Sequence, residues 1–313
     1  MQAKIAICQK PPLINDLEAS MERALESLNE AAAAGARLVV FPEAYLPGYP
    51  TWIWRLRPGG DGALSGELHA KLRDNAVDIS RGALKPLCKA AAEAQVTVVC
   101  GLNEIDGEYS GTTIFNTVVV IGPDGAILNR HRKLVPTNPE RMVWGRGDAS
   151  GLRVVDTPVG RIGALICWEN YMPLARYALY AQNIEVFVAP TWDTGERWLA
   201  SMRHIATEGG TWVISTATAL QASDLPGDMP GRESLFPDAD EWINDGDAVV
   251  IEPFGGPVAG PLNRDKRILY AEIDTDAARN ARRSLDIAGH YSRPDIFRLE
   301  VNRQAMPPAV FHD

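Results

Sequence analysis

The chain has 313 residues, 46% hydrophobic and 23% charged, with a formal net charge of -9. This is the composition of a globular chain long enough to build a core without disulfides or a structural metal, and its acidity argues against nucleic acid or an anionic membrane as the main partner. No apolar run reaches transmembrane length, the first ten residues lack a signal-peptide layout, and the five histidines show no metal-ligand spacing. Cys8, Cys88, Cys100 and Cys167 form no CxxC pair or secreted framework, so a reducing cytoplasm is the expected setting.

Residues 3–8 alternate and predict a first strand. Asn15 and Glu18 read as N-cap and N3 of a helix, along which Leu17, Met21, Leu25, Leu28 and Ala32 recur at helical spacing up to Gly35. RLVVF, 37–41, is a short buried strand that ends in PEAYLPGYP, 42–50. Residues 51–75 carry no assignable period. A helix is predicted over 81–95 and a strand over 96–102. Residues 112–121 and 127–133 flank Pro123-Asp124-Gly125 as a hairpin, which runs into HRKLVPTNPERMVWGRGD. A second hairpin, 153–157 with 161–167, is followed by a helix at 174–182, a strand at 186–189, a helix at 196–209 and a strand at 212–216. Residues 223–240, rich in Pro, Gly and acids, predict a long surface excursion. Strands at 248–252 and 268–273 flank a turn at Gly255-Gly256, and a helix over 276–285 precedes a Pro-containing tail. Strands alternate with helices, yet several are joined by hairpins. That implies a mixed sheet or a pair of sheets with helices outside. With no dividing linker, a single domain is expected over 1–313, of which 298–313 is a short tail.

The stretch GRIGALICWENYMP, 160–173, organises the chain. A β-branched apolar run delivers Cys167 to a strand end, 168–170 turn the chain, and Pro173 suits the first turn of a helix. A thiol at such a junction lies near unpaired helix N–H groups, which favour the thiolate. The competing reading is an inert buried cysteine, the usual state of a free thiol. Glu43 and Lys133 hold equivalent places, each just past a predicted strand. Taken singly, Glu43 is a solvated loop carboxylate and the HRK cluster a solvated face. With their strands side by side and parallel, the three would meet at one sheet edge, where open α/β sheets place ligands. There Cys167 supplies a nucleophile, Glu43 takes its proton and passes it to a leaving nitrogen, and Lys133 offsets negative charge developing in the transition state. His131 shares the strand face of Lys133. It either orients a catalytic carboxylate or is a structurally bonded histidine.

FPEAYLPGYP, HRKLVPTNPERMVWGRGD and CWENYMP, in this order and at these separations, resemble the three motifs of the nitrilase superfamily of carbon–nitrogen hydrolases. The likeness runs from AKIAICQ to GHYSRPDIF, 289–297, and CWENYMPLARYALYAQNIEVFVAPTWDTGE resembles the nitrilase branch rather than the amidase or carbamoylase branches. The resemblance implies an αββα four-layer sandwich. It assigns Cys167 as nucleophile, Glu43 as general base, Lys133 as transition-state stabiliser and Glu140 as a second acid positioning groups or water. Lys133 and the Trp168 N–H would form an oxyanion-type pocket. The implied reaction converts an organic nitrile and water to the carboxylic acid and ammonia through a cysteine thioimidate and thioester, with no cofactor or metal. Tyr49, Thr137, Trp144, Trp168, Tyr171, Pro190 and Trp192 are substrate-pocket residues by similarity; ordinary aromatic core is the alternative. The resemblance also implies a homo-oligomer, a dimer or larger up to a spiral, paired through a helix such as 174–182 and extended through 223–240. The tail beyond Phe297 is short for this branch. Close rivals are a cyanide-hydrating enzyme and an aliphatic amidase. From other classes, a non-catalytic binding or scaffold protein on this fold and a structural protein assembling through the acidic loop compete. The intact set of Glu43, Lys133, Cys167 and Glu140 argues against the first, and the hallmark of the second would be assembly with no thiol reactivity at Cys167.

Overall fold

Apolar alternation builds two six-stranded sheets in the computed structural model, which describes residues 2–57 and 59–310. The first contains β1 (Gln2–Cys8), β2 (Leu38–Val40), β3 (Thr97–Ile105), β4 (Ile114–Ile121), β5 (Ile127–Arg132) and the late strand β14 (Ile268–Asp274), in the order β14-β1-β2-β3-β4-β5. β1, β2 and β3 are parallel, while β4 and β5 form the expected antiparallel hairpin. The second contains β6 (Val155–Thr157), β7 (Gly160–Ala164), β8 (Val186–Pro190), β9 (Trp212–Thr216), β12 (Gly246–Ile251) and β13 (Pro257–Asn263), in the order β13-β12-β9-β8-β7-β6. A ribbon of β10 (Leu220–Gln221) and β11 (Trp242–Asn244) stands apart.

The strand period of two sorts side chains into layers. Leu38 and Val40 of β2 face the space between the sheets with Ile5, Ile7, Val99 and Val118, and meet Ile162, Val186, Ile214 and Val250 of the second sheet. Val39 points the other way, into a cluster with Met21, Leu28, Leu87 and Ala91 of α1 (Leu17–Ala33) and α3 (Lys85–Ala94). On the far side, Leu179 of α4 (Pro173–Tyr180) and Trp198, Met202 and Ile205 of α5 (Glu196–Gly209) cover Phe187, Val213 and Val249. Each fully buried leucine in these layers contributes about 1.5–3 kcal/mol of transfer free energy. The result is the αββα four-layer sandwich. No helix among the described residues is long and apolar enough to cross a membrane.

Five local expectations change. The first helix is capped by Asp16, whose carboxylate accepts the Ala19 N–H at 2.9 Å. Asn15 instead takes a left-handed turn, φ 59°, and donates its N–H to the Pro47 carbonyl. The unassigned 51–75 holds a 3-10 turn, Thr51–Trp54, and α2 (Gly62–Asp74). Residues 81–84 are turns rather than helix, with Gly82 at φ +81°, so α3 starts only at Lys85. The stretch 223–240 folds down instead of out. Leu225, Met229, Leu235 and Phe236 are buried against Trp52, Ile53 and Leu68, so spaced apolar anchors outweigh the Pro and Gly content. Last, the strand that crosses Gly255-Gly256 to pair with β12 is β13, whose PVAGPLN sequence is largely exposed and hides its period. β14 crosses to the other sheet and pairs with β1, Ile5 opposite Ala271. Of the tail, 298–310 is described and mostly exposed, while 311–313 lies outside the described residues.

Close backbone approach places the exit of β2. A Cβ on Gly101 of β3 would lie 2.2 Å from the Pro42 carbonyl oxygen and 2.8 Å from Cα of Glu43. Both are backbone atoms with no room to rotate away. Gly101→Ala is therefore expected to lower stability in urea by about 1–3 kcal/mol, the usual cost of overpacking, with a shifted Glu43. An unchanged urea midpoint would show that the β2 exit moves without strain.

Candidate active site

Glu43 leaves β2 on a loop held from β3. Asn103 Nδ2 donates to the Gly48 carbonyl at 2.9 Å, and its own N–H donates to Leu46 at 2.7 Å. Lys133 leaves β5 with its N–H on the Asn116 carbonyl at 2.7 Å. Its ammonium donates to Glu43 Oε1 at 2.8 Å and to Glu140 Oε2 at 2.7 Å. Asn116 Nδ2, from β4, donates to the same Glu43 oxygen at 2.7 Å. Glu140 sits in the 3-10 turn Asn138–Met142, where its Oε2 also accepts the Thr137 N–H and its Oε1 accepts the Tyr49 hydroxyl, both at 2.7 Å. All three charged residues are buried. Glu43 Oε2 has no partner among the described residues, so one carboxylate oxygen remains open to a proton.

Cys167 comes from the other sheet. β7 ends at Ala164, two apolar residues follow, and Cys167 adopts φ 51°, a left-handed conformation that costs a non-glycine residue energy. Asn170 holds this elbow by donating to the Leu165 carbonyl at 2.9 Å and the Cys167 carbonyl at 2.8 Å, and Arg176 Nη1 in turn donates to the Asn170 carbonyl. So the three groups do not converge at one sheet edge. β2 and β5 run in the same direction but are separated by β3 and β4, and the thiol enters across the gap between the sheets.

Burial decides the electrostatics. Burial pushes the Glu43 carboxyl up to about 7; Lys133 pulls against this and Glu140 adds to it. Burial also works against charge on Lys133, yet Glu43, Cys167 and Glu140 together hold its pKa above the ordinary lysine value. The Cys167 thiol is raised by burial first and by Glu43 next, with Lys133 and a Thr191 hydrogen bond opposing. The expected thiolate is therefore not the resting form. A 3-10 turn, Cys167–Tyr171, lies between the sulfur and α4, and burial with the Glu43 and Glu140 carboxyls works against ionisation.

A cavity of about 270 Å³ opens on Cys167 and Glu140. Tyr49, Thr137, Trp168 and Trp192 of the expected pocket line it, joined by Trp54, Asp193, Thr194, Ile243 and Asn244. Tyr49 stacks on Trp192 at 4.2 Å between ring centroids and accepts the Trp54 indole N–H at 3.1 Å. Trp168 Nε1 donates to Asp193 at 2.8 Å. Trp144, Tyr171 and Pro190 are not lining residues. Trp144 packs edge-on behind Tyr49 and donates to Asn103, Tyr171 lies exposed between Trp168 and Trp198, and Pro190 is buried at the end of β8 opposite Thr216. His131 bonds neither Glu43 nor Glu140; its Nε2 lies 3.1 Å from the Glu169 carboxylate. Sequence reading passed over Asn103, Asn116 and Glu169. The signal for the asparagines was a polar residue at a buried position of an apolar strand, VTVVCGLNEI and IFNTVVVI.

A family profile described as carbon-nitrogen hydrolase matches residues 4–283. The chain is 40% identical over 308 residues to an aliphatic nitrilase of Sinorhizobium fredii, covering 98% of each chain. It is 38% identical over 315 residues to nitrilase 2 of Arabidopsis thaliana, covering 98% of this chain and 91% of that one. A solved carbon-nitrogen hydrolase from Helicobacter pylori superposes with a TM-score of 0.70 at 20% identity, over 95% of this chain and 97% of that chain. The last likeness carries the fold.

The raised Glu43 makes a stability statement. A carboxyl whose folded pKa lies above its unfolded value favours folding below the unfolded value, and loses that contribution as pH rises through the folded one. Relative to Glu43→Gln, the wild type is thus expected to lose stability between pH 4.5 and about 7, by on the order of 3 kcal/mol at 1.36 kcal/mol per pKa unit. Urea melts of both proteins across this range check it; a pH-independent difference would contradict it.

Proposed function

The chain belongs to the carbon–nitrogen hydrolase family, and from that membership we propose that it hydrolyses an organic nitrile to the carboxylic acid and ammonia. The observation that carries the reading is the buried ammonium of Lys133 held between Glu43 and Glu140, of which Glu140 lines the same cavity as Cys167. The full-length likeness to nitrilases supports nitrile rather than amide as the substrate class.

In the proposed mechanism Glu43 takes the thiol proton as sulfur adds to the nitrile carbon. The nitrogen gains negative charge, which Lys133 and the Trp168 N–H offset, and protonation gives the thioimidate. Water adds at the former nitrile carbon. Glu43 returns a proton to nitrogen, ammonia leaves, and a thioester remains. A second water, deprotonated by Glu43, releases the acid and the thiol. Two waters are consumed per nitrile. Glu140, fixed by Tyr49 and Thr137, keeps Lys133 aimed and positions water. After the first water adds, loss of thiolate instead of ammonia would give the amide. The nitrogen leaves well only when protonated, so an acid within reach favours the acid product.

The same reading takes the chain as one catalytic unit working in the cytoplasm as a homo-oligomer. Support for assembly comes from α4, where Leu174 is 66% exposed beside a groove floored by Tyr177, Ala178 and Ile287. Because 223–240 is anchored by buried side chains, it offers a fixed surface for extending a dimer.

Cys167→Ala is expected to abolish turnover in a folded protein. Glu43→Gln should cost about a hundred- to ten-thousandfold. For the wild type, kcat/KM should fall with acid below about pH 7, as Glu43 takes up a proton. A panel of nitriles and amides, with acid, amide and ammonia followed together, should give acid and ammonia with little amide. Dominant amide would indicate a hydratase, and turnover of amides alone an amidase. Light scattering is expected to show a dimer or larger; a monomer at micromolar concentration would reject assembly.

A further inference from the structure

Lys133 and Cys167 come from different sheets, Cys167 lining the cavity and Lys133 lying behind Glu140 of its lining, and the layer between those sheets is largely apolar. Close packing holds the sheets together, and polar ties such as Thr216 Oγ1 to the Cys8 carbonyl join them elsewhere. One side chain ties the two strand exits at the site directly. The Glu169 carboxylate is buried, accepts the Leu134 N–H at 2.6 Å through Oε1, and accepts the Ile166 N–H at 2.7 Å through Oε2. Leu134 follows Lys133, and Ile166 precedes Cys167. A single carboxylate thus grips the N–H of the residue after the ammonium-bearing one and the N–H of the residue before the thiol-bearing one.

His131 completes the grip. Its Nε2 lies 3.2 and 3.1 Å from the two carboxylate oxygens, and its Nδ1 is buried with no partner among the described residues. The tautomer with hydrogen on Nε2 donates to the carboxylate and leaves only an acceptor lone pair unpaired at Nδ1. A hydrogen on Nδ1 would be a buried unpaired donor, at a cost of about 1–3 kcal/mol. Burial works to raise the Glu169 pKa, but His131 and the two backbone N–H groups outweigh it, so the carboxyl stays below its ordinary value and ionised.

We propose that Glu169, oriented by His131, is a positioning residue that fixes the Lys133 ammonium relative to the Cys167 sulfur across the gap between the sheets. The proposal rests on Cys167 being the nucleophile. Misplacement of a reacting group by 1 Å costs about a hundredfold in rate, and a clamp on both approaches prevents that displacement. The groups that face the sulfur are Glu43, Lys133, Glu140 and Tyr49, with the Thr191 hydroxyl beside them. Of these, Lys133 is the one positive charge that favours the thiolate, and the Thr191 hydrogen bond is a smaller aid, so loosening Lys133 makes the thiol harder to ionise.

The test combines steady-state kinetics per titrated Cys167 with the pH profile of Cys167 alkylation by iodoacetamide, read by mass spectrometry against Cys167→Ala. Glu169→Gln is expected to lower kcat about a hundredfold with KM within about threefold, and to move the alkylation profile to higher pH. His131→Gln keeps an N–H for Glu169 and should hold kcat within about threefold, whereas His131→Leu should lose about tenfold or more. Wild-type kcat and alkylation profile in Glu169→Gln would overturn the clamp. If that variant does not fold, the His131 pair decides, and equal rates in the two would overturn it. The alkylation profiles need no nitrile. A wild type inactive on every nitrile would therefore count against the proposed substrate while the clamp is still read.

Discussion

Everything at the site depends on one ammonium buried between two carboxylates. Lys133, Glu43 and Glu140 are almost wholly out of water. Taking such ions from solvent costs several kcal/mol each, and attraction repays this only in good geometry with the remaining hydrogen bonds made. The surroundings read as the supply of those bonds. Asn116 serves Glu43, Thr137 and Tyr49 serve Glu140, and Trp54 in turn fixes Tyr49. Burial, with the nearby Glu140 adding to it and Lys133 opposing, is why Glu43 holds its proton up to about pH 7, and burial together with Glu43 is why the nearby thiol keeps its own. A resting thiol beside an available base suits a nucleophile that must be unreactive until a substrate arrives.

The backbone carries its share of the strain. Cys167 is held at positive φ by Asn170 and Arg176 on one side and Glu169 on the other. The elbow costs folding energy, and it is stabilised by a packed sheet pair that extends far beyond it. The same logic explains Gly101, whose missing side chain lets Glu43 approach β3.

Much of this was legible in the sequence because it is local. Periods located most strands and helices, and the residues at strand exits included Glu43, Lys133 and Cys167. What failed was long-range. An apolar alternating run reports that a strand is buried, but not which sheet receives it, so sequence order points β14 to the place beside β12 that β13 holds. For the same reason the pattern points to convergence along one sheet, whereas the groups come from two. The strand face of His131 predicts a carboxylate partner, yet the carboxylate is Glu169, two residues after the thiol in sequence and 38 residues from the histidine. Nothing in the local pattern distinguishes Glu169 from an exposed acid in a turn. Its value comes from the Leu134 and Ile166 N–H groups that the fold aims at it.

The central claim is that Cys167 attacks carbon and carries the acyl group. It is tested most directly by acid-quenching the protein during steady turnover of a nitrile and weighing the peptide that contains Cys167. The account predicts a thioester on that peptide, heavier by the acyl group of the nitrile used, that disappears as substrate is exhausted. Turnover to acid and ammonia with no adduct on Cys167 at any time, or an adduct on another residue that forms and decays at the rate of turnover, would contradict it.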